Sequence, residues 1–206
     1  MPTDVLDLAD YRRRVAAIYA DVRSVGVGEA SWHRWAEARA ALLRSHPQSP
    51  LAEADRATPN VPGYAAYDPS WSLVGSVEPL DPASTTPAVH EDASRFRPVA
   101  TVRTGRFGEA LSLTLFWLET YGGGLFLPFG DTTNGRSTYG GGRYLLDSAK
   151  SADLGSPGPG LLTLDFNFAY HPSCLWDPQW PCPLPPPENR LNCAVVAGEL
   201  APSAPV

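Results

Sequence analysis

The sequence predicts an α+β protein that is mainly β: an antiparallel β-barrel or sandwich, preceded by an N-terminal two-helix arm and closed by a proline-rich C-terminal loop. Three observations predict it. Apolar residues recur at three- and four-residue spacing only in the first 46 residues, whereas further along the period falls to two. The chain carries 22 prolines and 18 glycines in 206 residues, too many for a helical protein and suited to turns between short strands. At this length one core with an appendage is expected, divided into an arm (1–46), a connector (47–70), a β-rich domain (71–199) and a disordered tail (200–206).

The first helix is carried by Leu8, Tyr11, Val15, Ile18, Tyr19 and Val22 and stops near Gly26. A second starts near Ser31, read as an N-cap, carries Trp32, Trp35, Ala36, Leu42 and Leu43, and ends before Pro47. Such a pair has little core of its own, so its apolar face must lie on the rest of the chain or on a second copy. Between His46 and Pro69 there are five prolines and no sustained period, which reads as a connector. Residues 110–118 then alternate and are expected to form a central strand covered on both faces. Further strands are expected at Trp71–Val77, Val99–Arg103, Leu125–Phe129, Ser137–Tyr139, Arg143–Leu146, Leu161–Phe168 and Ala194–Ala197, with a tight turn at Asn134-Gly135.

A net charge of −6 and a pI near 5.1 leave no basic stripe for a phosphate backbone, so no nucleic-acid partner is expected. No apolar run approaches the roughly 20 residues that span a bilayer, and Met1 to Ala20 lacks the apolar stretch of a signal peptide. The expectation is a cytoplasmic protein without a membrane partner. Three cysteines in a reducing compartment read as thiols or ligands rather than a disulfide framework.

Four features invite a chemical reading. In YGGGRYL (139–145) the glycines free backbone amides and Arg143 stands beside them; either a turn brings two backbones close, or Arg143, with Arg136, presents a fork to a carboxylate or phosphate. His171, Cys174 and Cys182 read H-x2-C-x7-C, a set that could hold zinc, although no tight C-x2-C knuckle is present; a disulfide or simple packing thiols are the alternatives, and a nucleophilic thiol is disfavoured. The proline run 178–187 must be loop or polyproline, with Trp180-Pro181 a candidate cis bond and the whole a rigid wall. On the expected strand 161–168, Asp165 and Asn167 share a face. They either cap loop amides or join Glu188, Asn189 and Arg190 around a pocket.

Three stretches, HPQSPL (46–51), GGGLFLPFGDTTNGRSTYGGGRYLLD (122–147) and LDFNFAYHPSCLWDPQWPCPLPPPENRL (164–191), make the chain resemble the prokaryotic domain-of-unknown-function family DUF1684. The resemblance runs from about His46 to Glu199 and is loose only in ATPNVPGYAAYDPSW. It implies family membership and supplies no activity, cofactor or catalytic residue. It also implies that many members carry asparagine at the position of His171, which removes that residue as an essential zinc ligand.

The function expected from these features is the binding, with or without turnover, of a small anionic metabolite in a pocket of the β domain lined by Arg143, Tyr144, Asp165, Asn167, Glu188, Asn189 and Arg190. Two other readings stand beside it: an interaction or homodimerisation module using the Trp32/Trp35 face of the arm, and a metal-dependent enzyme using the Cys174/Cys182 loop with His171. No catalytic residue and no cofactor is assigned.

Overall fold

A computed structural model describes residues 2–57, 62–84, 88–89, 95–119, 121–180 and 183–202. Helix α1 spans Pro2–Val25 and α2 spans Glu29–Ser45, joined by a tight link. Helix α1 ends because Gly26 takes φ +85° and its N–H returns to the Val22 carbonyl, the left-handed cap that glycine adopts without a Cβ penalty. Helix α2 ends because Pro47 forces His46 into an extended conformation. Gly28, not Ser31, occupies the N-cap; Ser31 lies inside the helix and its hydroxyl donates back to the Gly28 carbonyl. A single turn, α3 (Glu53–Arg56), lies in the connector.

Among the described residues nine strands follow: β1 (Gly63–Tyr64), β2 (Ser72–Pro79), β3 (Ala88–Val89), β4 (Arg95–Arg106), β5 (Glu109–Leu118), β6 (Leu125–Phe129), β7 (Arg143–Asp147), β8 (Leu161–Asp165) and β9 (Glu199–Leu200). Six make a curled antiparallel sheet, a half-barrel in the order β7-β6-β5-β4-β2-β8, with β3 added on β4; β1 pairs separately with β9. The axis is the β4–β5 hairpin, closed by Phe107 and Gly108, both at positive φ as a two-residue primed turn requires.

Alternation divides the buried residues between two cores. One fills the curl and contains Trp71, Val102, Leu111, Leu113, Leu115, Leu127, Phe129, Leu164 and Phe166. On the opposite face Phe96, Phe116, Phe126 and Tyr144 meet Tyr19, Val22, Trp32 and Trp35 from the helices. The arm therefore lies on its own sheet. The Trp35 ring stands 5.2 Å from Phe168, and Trp32 Nε1 donates to the Asn167 carbonyl at 2.9 Å. Burying each of these indoles contributes roughly 2–3 kcal/mol. The face expected as a dimerisation surface is thus consumed within the chain.

Strand β5 is covered on both faces only towards its C-terminal end, since Ser112 is exposed while Leu115 and Phe116 are both buried. Two expected strands take other forms. After Asp165 the chain turns into a 3-10 turn, Phe166–Phe168, because the Asp165 carboxylate accepts the Asn167 N–H. Ala194–Ala197 is not paired as a strand, and Ser137–Tyr139 forms only an isolated bridge at Thr138. Order continues past Leu200, as the Ala201 N–H bonds the Ser137 carbonyl; residues 203–206 of the expected tail lie outside the described residues. Among the described residues no helix is long and apolar enough to cross a membrane.

Candidate functional site

The arm does not close completely on the sheet. Where α1 and α2 pass over β7 and the segment 170–180, they leave a cavity of about 150 Å³. Its walls are largely aromatic: Tyr11 and Tyr19 from α1, Tyr144 from β7, and Tyr170, Trp176 and Trp180 from the loop. Arg12, Arg39 and Lys150 also line it, and among the described residues the lining contains no carboxylate.

Arg39 is placed by helical spacing. It falls on the buried stripe of α2 below Trp32, Trp35 and Ala36, so its guanidinium enters the seam instead of solvent. Glu199 meets it there. Gly198, at φ +81° and packed so closely on the Phe166 and Ala169 carbonyls that no Cβ would fit, turns the chain to bring Glu199 beneath the arm. The Glu199 carboxylate accepts from Arg39 Nε at 2.5 Å, from Arg39 Nη2 at 3.3 Å and from the His171 backbone N–H at 2.7 Å. Burial works against the Arg39 charge, but the Glu199 carboxylate more than offsets it and holds the guanidinium pKa well above its ordinary value. The guanidinium stacks over the Tyr170 ring, 4.7 Å from its centroid. No described residue accepts a hydrogen bond from Arg39 Nη1.

His171 is buried beside this pair. Its Nε2 accepts the Tyr139 N–H at 3.2 Å, so the proton of the neutral ring resides on Nδ1. Nδ1 lies 3.7 Å from Glu199, beyond hydrogen-bond reach, and has no partner among the described residues. Burial first, then the Arg143 and Arg39 guanidiniums, pull the His171 pKa down to about 3. Four other lining groups are also buried and unpaired among the described residues: the Tyr19 and Tyr170 hydroxyls and the indole N–H groups of Trp176 and Trp180. All five can donate. A buried donor without an acceptor costs on the order of 1–3 kcal/mol, so five on one lining require a cause.

Of the seven residues expected to line a pocket, only Tyr144 faces this cavity, and its hydroxyl donates to the Pro183 carbonyl at 2.7 Å. Arg143 is fully buried on the other side of β7. It donates to Asp131 Oδ2 at 2.9 Å, to the Val195 carbonyl at 2.8 Å and to the carbonyls of Ala197 and Glu199. Asp165 and Asn167 are together: Asp165 Oδ1 accepts from Asn167, whose amide bonds the Asp68 backbone N–H and carbonyl. Burial raises the Asp165 pKa, against hydrogen bonds from Ser72 and Asn167. Asn189 is buried between β5 and β6, while Glu188 and Arg190 are exposed. The structure thus brings Asp165 to Asn167 but does not bring these two to Arg143 or to Glu188, Asn189 and Arg190.

Among the described residues no three of His, Cys, Asp and Glu stand together as a metal-ligand set. Cys174 lies 3.9 Å from the Tyr139 hydroxyl, whereas His171 is turned to the Tyr139 N–H and Glu199. Cys182 and Pro181, with the candidate cis bond, lie outside the described residues. Sequence reasoning missed Arg39, Glu199, Trp176 and Trp180. The available signal was Arg39, a cation on the apolar stripe of an amphipathic helix.

Comparison with known proteins places this geometry in a wider set. The fold is similar to the solution NMR structure of an uncharacterised protein of Haloarcula marismortui, with 30% identity, a TM-score of 0.60, and 83% of this chain and 95% of that one covered. No curated protein matches the chain. Residues 61–200 match the model described as a protein of unknown function, DUF1684, and the chain belongs to that family.

Proposed function

We propose that this protein binds a small anionic molecule in the cavity between the helical arm and the sheet. The observation that carries the reading is the imbalance of the lining. Five buried donors, the Tyr19 and Tyr170 O–H, His171 Nδ1–H and the Trp176 and Trp180 N–H groups, have no acceptor among the described residues, and the three charged side chains of the lining are cations. Glu199 neutralises Arg39 and Asp147 lies 3.4 Å from Lys150, so the site is not a bare positive hole. It is short of hydrogen-bond acceptors. An oxyanion supplies several acceptors on one group and no donors, and bonds to a charged acceptor are about twice as strong as neutral ones.

The test is isothermal titration of the full chain with acetate, succinate, benzoate and inorganic phosphate, each against a neutral amide or alcohol. At least one anion is expected to bind and its neutral counterpart not. Tyr170→Phe keeps the ring and removes one donor, so it should weaken that anion about tenfold. Equal affinity for parent and Tyr170→Phe would misplace the site, and silence across all four anions would remove the reading.

A further inference from the structure

Resting on the reading that this cavity takes an anion, we infer that its ligand is a single-ring aromatic carboxylate, with the ring held among Tyr11, Tyr19, Trp176 and Trp180 and the carboxylate directed to Arg39 and the unpaired donors. Size is the first constraint. Apolar cavities of about 150 Å³ admit a guest the size of benzene, and this cavity, at about 150 Å³, has that capacity. One six-membered ring fills it. A nucleoside or a fused polycycle exceeds this volume.

The walls are the second constraint. Six aromatic residues surround the space, with Leu8, Val15 and Leu43 completing the α-helical side. One pair of them, Tyr144 and Tyr170, already meets edge to face at 5.8 Å and 83°. An aromatic guest continues that pattern, and each such contact adds to the gain from burial alone. A saturated ring of the same size would gain burial without it.

The third constraint is the sign of the unmet hydrogen bonds. The Tyr144 hydroxyl is engaged with Pro183, and Glu199 already accepts three hydrogen bonds, so neither solicits a donor from a ligand. What remains is weighted to donors: Arg39 Nη1, His171 Nδ1–H and the two indoles can only donate, and the Tyr19 and Tyr170 hydroxyls carry an unused proton. An amine or an uncharged phenol would match these less well than a carboxylate, which accepts at both oxygens and donates at neither. Arg39 is suited to the role because its face is fixed by Tyr170 and one edge by Glu199, so its remaining edge is oriented before a ligand arrives.

The experiment is calorimetric titration of the full chain with benzoate, cyclohexanecarboxylate, acetate and benzamide. Benzoate is expected to bind at least tenfold more tightly than acetate or benzamide, and more tightly than cyclohexanecarboxylate. Acetate binding with benzoate silent would overturn the ring and leave the anion reading standing. Benzamide matching benzoate would overturn the anion reading itself, and cyclohexanecarboxylate matching benzoate would overturn the aromatic requirement. Trp176→Leu and Tyr11→Leu, both at only half-buried positions, should each lower benzoate affinity at least fivefold while leaving acetate unchanged. No loss in either variant would remove the proposed placement of the ring.

Discussion

Arg143 shows how a residue can be singled out correctly and its partner misread. A glycine-rich turn beside an arginine has the same sequence whether the guanidinium faces a ligand or the chain's own backbone. Here Val195 to Gly198 lie outside any strand, and the Arg143 fork takes up the carbonyls of Val195, Ala197 and Glu199 along this segment and the start of β9. Asp131 supplies the opposing charge at 2.9 Å, both side chains being fully buried. Burial pulls the Arg143 pKa below its ordinary value, with Asp131 working against the shift. Arg143→Ala should therefore destabilise the fold by about 3–5 kcal/mol, because it strands a buried carboxylate and several carbonyls. Arg190→Ala, at an exposed position, should stay within about 0.5 kcal/mol. Urea denaturation of the two variants checks this, and equal midpoints would refute the structural role. The sequence could not distinguish the two fates, since the apolar run Ala194–Ala197 also reads as a strand that would satisfy its own carbonyls.

At the level of elements, β5 and β6 pair only at Phe116 with Phe126 and at Trp117 with Leu125 before they part. Pro128 explains the divergence: it has no N–H, and the register of β6 against β7 shifts between Leu127 and Pro128. The gap is filled by one side chain. Asn189, presented by a 3-10 turn that Pro187 begins, accepts the Thr114 N–H at 2.7 Å and donates to the carbonyls of Thr114 and Pro128 at 2.9 and 2.7 Å. Its amide does the work of a strand residue. Asn189→Ala should cost about 3 kcal/mol by leaving these groups unpaired, and Asn189→Asp should fail as well because a carboxylate accepts but does not donate. Hydrogen exchange at the Thr114 amide measures it directly; unchanged protection in both variants would refute the splice. Two-residue alternation made β5 legible, and turn signals between short apolar runs marked β2, β4, β6, β7 and β8. A strand replaced by an asparagine leaves no period, so Pro187-Glu188-Asn189-Arg190 reads as a polar cluster that could equally be a binding edge.

Over the whole molecule, the arm and the β domain were both legible, but the surface on which they meet was not. Its sheet-side residues, Phe96, Phe116, Phe126 and Phe168, come from three strands and a turn, and no local pattern says that they share a face with Trp32 and Trp35. The cavity exists because this contact is imperfect, and His171 lies where arm, sheet and C-terminal segment converge. The groups facing its ring are Glu199, Arg39 and Arg143, and with a folded pKa of about 3 against an ordinary 6.5 it is buried neutral. For a histidine with a depressed folded pKa, the associated stability is complete above pH 6.5 and is lost as the pH falls towards the folded value, because the unfolded chain takes up the proton first. By pH 4 this one group should have removed about 3 kcal/mol. His171→Asn supplies a carbonyl oxygen in place of Nε2 for the Tyr139 N–H and has nothing to titrate. Its melting temperature should therefore fall less between pH 7 and pH 4 than that of the parent, with the two curves converging as the pH decreases. Other titrating groups are common to both proteins and cancel in the difference. Parallel curves would show that His171 is not buried in neutral form.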